Sequence, residues 1–321
     1  MTPLLNAPTG LRHSRIIGLG EERPVQAVTN DELSTTLDTS DEWIRQRTGI
    51  ASRRVAGPEE TVVSMASEAA LKAVADAGID PEQVGLVIVA TCSMPQPIPG
   101  AAPQVATALG ASRAGAFDLN AACAGFCYAL SVGSDAVRLG TTDYVVVIGA
   151  EKITNWVDWT DRSSAILFGD GAGAVVIGPS DTPGISPVVS GSDGTAHHLI
   201  DMSEDNRLRL DGPAVFRWAT TTLGDVALDV CRTAGIDPVD LSAVVLHQAN
   251  LRIINAIARR IGADNAVVAT DVVDAGNTSA ASVPLALARL RREGAITTGD
   301  LALTLSFGSG LTWAGSVVTM P

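Results

Sequence analysis

"AGIDPEQVGLVIVA" at 77–90 and "AGIDPVDLSAVVLH" at 234–247 are one phrase written twice, 157 residues apart. At the same offset "NAACAGF" (120) falls on "NTSAASV" (277), and "YVVVIGAEK" (144) falls on "LALTLSFGS" (301). A last pair, "AGAVVIG" (172) and "AGSVVTM" (314), matches at an offset of 142, so the first half carries about fifteen extra residues between 151 and 171, a candidate lid. Each half reads as a helix ending at "AG", a buried β-branched strand, a helix entered through Asn, a second buried strand, and a glycine loop into a last strand. Continuous apolar strands alternating with helices require sheets covered on both faces. The expected fold is therefore α/β with five layers, α-β-α-β-α, in two pseudo-symmetric halves, 1–180 and 181–321. The pseudo-twofold axis would bring positions 120 and 277 together.

The totals narrow the function classes. Of 321 residues 46% are hydrophobic and 18% charged, a composition that folds around a core. The formal charge of −13 leaves no broad basic face for nucleic acid. No apolar run reaches the 18 residues or so of a membrane span, and "MTPLLNAPTGLRHSR" lacks the apolar centre of a signal peptide, so neither membrane nor export is expected and a cytoplasmic protein is. Cys92, Cys123, Cys127 and Cys231 show neither disulfide nor zinc-ligand spacing, and the adjacent His197 and His198 are poorly placed for one metal; no metal site is expected. "GDGAG" (169–173) lacks the Lys-Ser/Thr of a phosphate loop.

Cys123 is the residue to explain. It stands among alanines at a strand-to-helix elbow, where a structural thiol is the ordinary reading and a nucleophile favoured as thiolate by the helix dipole is the sharper one. His247 ends the strand "AVVLHQAN", Asn277 heads the mirrored helix, and "SFGSGLTW" (306–313) can aim backbone N–H groups into a cavity at the same sheet edge. Taken singly, His247 could be a satisfied strand-end residue, Asn277 a helix cap and the glycines a turn. Thiol, imidazole, carboxamide and glycine loop at one axis make a nucleophile with oxyanion donors. Cys127, one turn on, reads as core.

"DTSDEWIRQRTGI" (38–50), "AACAGF" (121–126), "TDRSSAILFGDGAGAVV" (160–176), "HQANLRI" (247–253) and "GNTSAASVP" (276–284) together resemble β-ketoacyl-acyl carrier protein synthase III, a condensing enzyme of the thiolase superfamily. The resemblance implies a thiolase-like fold and a Cys-His-Asn triad at Cys123, His247 and Asn277; a thiolase or an elongating ketosynthase would show a second His in place of Asn277. It implies acyl transfer from acyl-CoA to Cys123, then decarboxylative condensation with malonyl-acyl carrier protein, opening fatty acid or polyketide synthesis. Coenzyme A is substrate there, and no resident cofactor is implied.

The same resemblance places the backbone N–H groups of Cys123 and Ser309 in the oxyanion hole. It has Trp43 and Arg162 sandwich the adenine of coenzyme A, with Arg47 near the phosphates and Asn250 along the pantetheine tunnel. It assigns Ile98 and Phe307 to the acyl pocket, Ile98 across a homodimer, and Arg217, Arg252, Arg259 and Arg260 to docking of the acidic carrier protein. Three departures stand out: Ser309 replaces the usual Gly or Ala, "CSMPQPIPG" (92–100) is proline-rich, and 194–212 is short. An acyltransferase without decarboxylation, a cysteine hydrolase and a non-catalytic scaffold are the alternative readings.

Overall fold

In the computed structural model, which describes residues 11–321, the repeated phrase becomes two sheets of five strands each. In the first half β1 (His13–Glu22), β2 (Val84–Ala90), β3 (Gly115–Leu119), β4 (Tyr144–Glu151) and β5 (Gly171–Ser180) lie in the order β1-β5-β4-β2-β3. In the second half β6 (Val189–Ser192), β7 (Ala243–Leu246), β8 (Val267–Val268), β9 (Leu301–Gly308) and β10 (Thr312–Thr319) lie in the order β6-β10-β9-β7-β8. Three neighbouring strands of each sheet pair in parallel, β4-β2-β3 and β9-β7-β8, and two successive antiparallel pairings, through β5 to β1 and through β10 to β6, extend each sheet at the same side. The two halves share one topology, strand for strand.

The helices are α1 (Asp41–Thr48), α2 (Val62–Ala77), α3 (Ala101–Leu109), α4 (Gly125–Arg138), α5 (Gly212–Ala234), α6 (Leu251–Ile261) and α7 (Ser282–Arg292). The duplicated "AGIDP" has a local cause: α2 and α5 stop at Gly78 and Gly235, both left-handed, and Asp80 and Asp237 then cap a 3-10 turn that begins with proline. That punctuation delivers the chain into β2 and β7.

Three cores separate five layers. Val74 and Val105 of the outer helices pack on Val87, Val146 and Val176 of the first sheet, and Leu223, Ile254 and Ile257 pack on Val244 and Leu305 of the second. Between the sheets, α4 and α7 contribute Phe126, Leu130, Val283 and Leu287 against Ile177, Val245 and Val318. The halves meet closely at the centre. A Cβ at Gly149 of β4 would stand 2.3 Å from the carbonyl oxygen of Ala280, so only glycine admits that approach.

Two segments outside the repeat close over this centre. The insertion after β4 holds a 3-10 turn, Ile153–Trp156, and a helical turn, Arg162–Ala165. The stretch before α5 holds a 3-10 turn, Gly194–Leu199, and a two-stranded hairpin, Ile200–Met202 with Leu208–Leu210. Among the described residues no helix is long and apolar enough to cross a membrane.

Candidate active site

The nucleophile turn and its mirror image are built alike. A 3-10 turn, Ala122–Ala124, precedes α4, and another, Ser279–Ala281, precedes α7. Ala122 and Ser279, equivalent in the repeat, both take positive φ, +47° and +49°, a conformation that costs a non-glycine residue on the order of 1–3 kcal/mol and is held only by its surroundings. The Asn120 carboxamide oxygen accepts from Ala122 N–H at 3.1 Å and that of Asn277 from Ser279 N–H at 2.9 Å. The expected Asn-headed helices are thus corrected: each Asn closes a turn, and the helices begin five residues later at Gly125 and Ser282. With its oxygen engaged, buried Asn277 presents its NH2 to the cavity as a donor.

His247 continues β7, its N–H bonded to Leu305 C=O at 2.7 Å, and its ring packs edge-on against Phe307, centroids 5.2 Å apart. Nδ1 lies 2.7 Å from Ser282 Oγ, which also accepts from Gln248 N–H at 3.3 Å. When the Ser282 hydroxyl donates to Nδ1, the ring proton sits on Nε2. Burial pushes the imidazole down to about 3, so the ring is neutral.

Cys123 is partly exposed to the cavity. Burial is the main reason its thiol is pushed up to about 12; the Ser279 hydroxyl opposes this and the charge of Glu151 adds to it. The expected dipole-stabilised thiolate is therefore not the resting form, because loss of solvation outweighs the field of one helix end. Cys127 lies in the central core, as read.

The glycine loop abuts the nucleophile. A Cβ at Gly308 would stand 2.5 Å from Cys123 N, Ser306 Oγ donates to Cys123 C=O at 2.5 Å, and Thr312 Oγ1 donates to Ala121 C=O at 3.2 Å. Ser309 lines the cavity and turns its hydroxyl to Ile200 C=O at 2.6 Å, which ties the loop to the hairpin.

Behind Cys123 sits a group the sequence reading passed over. Glu151 ends β4 wholly buried and receives hydrogen bonds from Thr91, Ser93, Ser279 and both the N–H and the thiol of Cys92. Every neighbour is a donor, so the shell suits a carboxylate, yet burial still raises its pKa. The only basic neighbour in sequence, Lys152, turns its Nζ to Gly57 and Glu60 carbonyls. The legible signal was a lone acid closing the apolar run "YVVVIGAE".

Cys123, His247, Asn277, Asn250, Phe307 and Ser309 line one cavity of about 550 Å³ whose remaining wall is largely apolar. Asn250 also caps α6 through Arg252 N–H at 2.8 Å and donates to Arg47 C=O at 3.2 Å. Trp43 lies between two guanidinia, Arg47 at 3.9 Å and Arg162 at 4.5 Å. Arg162 pairs with Asp38, donating to its carbonyl at 2.7 Å. Ile98 is 80% exposed and lies outside the cavity of its own chain. Phe307 supports the imidazole as well as lining the cavity.

The four arginines are exposed, but not equivalent. Arg260 is paired with Asp225 at 2.7 Å, which offsets its charge. Arg252 stacks over Phe216 at the cavity wall, and Arg217, Arg252 and Arg259 form no ion pair among the described residues.

Two duplicated α/β halves with a cysteine, a neutral histidine and a donor asparagine at their junction define a thiolase-like condensing enzyme. Residues 117–194 match the family model for 3-oxoacyl-[acyl-carrier-protein] synthase III and residues 231–320 match its C-terminal counterpart. The chain is 49% identical over 312 residues to a beta-ketoacyl-[acyl-carrier-protein] synthase III of Streptomyces coelicolor, covering 96% of this chain and 99% of that protein, and 44% identical to a mycobacterial one from Mycobacterium avium, covering 99% and 98%. Among solved structures, the priming beta-ketosynthase of the R1128 polyketide pathway superposes with a TM-score of 0.97 at 46% identity, covering 99% of both chains. The chain belongs to the beta-ketoacyl-acyl carrier protein synthase III family and is an acyltransferase of that class.

Proposed function

We propose that Cys123 carries the acyl primer between two half-reactions, with His247 and Asn277 serving the second. The family's reaction is condensation of an acyl-CoA with malonyl-acyl carrier protein. The Cys123 sulfur attacks the acyl-CoA carbonyl, the tetrahedral oxyanion is held by the backbone N–H groups of Cys123 and Ser309, and the carbon–sulfur bond to coenzyme A breaks as the proton given up by Cys123 passes to the departing sulfur, so that coenzyme A leaves as its thiol. Malonyl-acyl carrier protein then loses carbon dioxide, and the enolate oxygen is met by His247 Nε2–H and the Asn277 NH2. The carbanion attacks the acyl-cysteine, and the released thiolate regains a proton.

The observation that carries this reading is the pair of fixed donors. In this reading the Ser282 hydroxyl donates to Nδ1, which leaves the ring proton on Nε2, and Ser279 N–H engages the Asn277 oxygen, which leaves the NH2 for the enolate. Preorganised donors contribute on the order of 3 kcal/mol each to a developing oxyanion. A hydrolase would need His247 as base, and burial lowers the proton affinity of that ring.

Trp43, Arg162 and Arg47 are proposed for the adenine and phosphates, Asn250 for pantetheine, and Arg217, Arg252 and Arg259 for the carrier protein. A second copy is proposed to pair along β3, an edge strand whose Phe117 is 41% exposed, bringing Ile98 toward the partner's site. Carbon dioxide release separates this function from its alternative, acyl transfer to an alcohol or amine. Asn277→Ala should abolish release of carbon dioxide from malonyl-acyl carrier protein while Cys123 still takes up acyl groups; equal loss of both steps would remove the assignment.

A further inference from the structure

Arg53 is wholly buried and forms no ion pair among the described residues. Burial pushes its pKa down to about 10, which leaves the guanidinium charged at neutral pH. A charge buried without a counter-ion costs stability that an apolar side chain filling the same space would not. What the guanidinium supplies is a planar fork that reaches several acceptors at once. Nη1 donates to Val28 C=O at 3.0 Å, and Nη2 donates to Asn30 Oδ1 at 2.8 Å and to Ile166 C=O at 3.0 Å.

Two of those acceptors lead to the elements that carry Trp43 and Arg162. The buried Asn30 amide donates in turn to Asp41 Oδ1 and to Ile50 C=O, both at 2.8 Å. Asp41 is the first residue of α1 and Ile50 follows Gly49, which ends it, so Asn30 grips both ends of the helix bearing Trp43 and Arg47. Ile166 caps the helical turn Arg162–Ala165. The indole and the guanidinium stacked on it therefore stand on separate segments that a single buried side chain ties together. The other tie, from Arg162 to Asp38, is exposed to solvent and weak by comparison.

We propose that Arg53 is a positioning residue for the acyl donor: by joining α1 to the turn of Arg162 it fixes where Trp43 and Arg162 stand, and so sets the affinity for the nucleotide end of coenzyme A. The inference rests on the reading that Trp43 and Arg162 hold the adenine. Loss of the fork should therefore weaken an acyl donor that carries the nucleotide and matter less to one that lacks it.

The test compares acylation of Cys123 by acetyl-CoA and by acetyl-N-acetylcysteamine, a thioester without adenine or phosphates, read by intact-protein mass spectrometry over a range of donor concentrations. The proteins are the parent, Arg53→Lys, Asn30→Ala, Trp43→Ala and the Arg53→Lys/Trp43→Ala double variant. Lysine keeps the charge and the stem that packs beside Gly276, but brings one nitrogen in place of the fork. Arg53→Lys should lower the ratio of acylation efficiency, acetyl-CoA over the truncated thioester, about tenfold, through the half-saturating concentration rather than the limiting rate. Asn30→Ala should lower it by a smaller factor. A merely structural role would depress both donors together and leave the ratio where it was. With Trp43 already replaced, Arg53→Lys should change the ratio by no more than about threefold, because both act through one clamp. An unchanged ratio in folded Arg53→Lys and Asn30→Ala, while Trp43→Ala lowers it, overturns the positioning role alone, as does a full effect of Arg53→Lys that persists without Trp43. If Arg53→Lys does not fold, Asn30→Ala decides by the same ratio. A ratio unmoved by Trp43→Ala overturns the adenine reading and the positioning role together.

Discussion

Alanine at position 308 should cripple acyl transfer while leaving the fold in place. Its Cβ would stand 2.5 Å from Cys123 N, 3.1 Å from Ala122 Cβ and 3.2 Å from Ala124 N. Ordinary contact begins at about 3.5 Å, so the loop and the nucleophile turn must part by about 1 Å. The closest atom is backbone and cannot rotate aside. Parting them carries Ser309 N–H away from Cys123 N–H, the two donors that must converge on one oxygen. A displacement of this size costs on the order of 10²-fold in rate, and complete loss of one donor on the order of 10²–10³-fold. Rapid-quench acylation by acetyl-CoA with mass detection measures that step alone, and a thermal melt within a few degrees of the parent shows that the site moved without unfolding. Acylation within threefold of the parent would refute the convergence of these two amides.

Ser282→Ala frees Nδ1 of its donor and lets the imidazole adopt the other tautomer; condensation should fall about tenfold, in line with one hydrogen bond of about 1 kcal/mol, while acylation of Cys123 changes less. Glu151→Gln removes the buried charge that raises the Cys123 pKa, so the midpoint of iodoacetamide alkylation should move to lower pH, and the melt should fall because the amide offers fewer acceptors to five donors. His247, depressed to about 3, should give no inflection in the condensation pH profile near its ordinary value of about 6.5. Folding stability tied to that neutral ring is complete above about pH 6.5 and is lost as pH falls toward 3, which acid-induced melts can follow. Reversing Arg217 and Arg252 to Glu should raise KM for malonyl-acyl carrier protein and spare acyl-CoA, whereas Arg260→Glu, already paired with Asp225, should do less; a steady-state comparison decides.

Much of the fold was legible because duplication doubles every signal. "AGIDP" announces a helix stop and a capped turn before a strand, and repeats do so at both β2 and β7. That Cys123, His247 and Asn277 line one cavity was legible for the same reason, since 120 and 277 had to meet. What escaped notice depends on packing across the axis. Nothing in "GNTSAASVP" tells that Ser282 orients an imidazole 35 residues upstream, or that Ser279 bridges toward Glu151 from the other half. The thiolate expectation failed because helix position is read from sequence, whereas desolvation is a property of the closed site. Arg260 looked like its neighbours until Asp225, on a different helix, was found opposite it. The hairpin roofing the cavity was unreadable, its strands being three residues each with mixed polarity.

The most direct measurement is of the sulfur itself. Incubated with radiolabelled acyl-CoA, quenched and digested, the protein should yield one labelled peptide, bearing the acyl group on Cys123. Chasing with malonyl-acyl carrier protein should discharge that label into a 3-oxoacyl thioester, with one carbon dioxide per acyl group. Label on Cys92 or elsewhere, or undiminished 3-oxoacyl product from Cys123→Ala, would contradict the account.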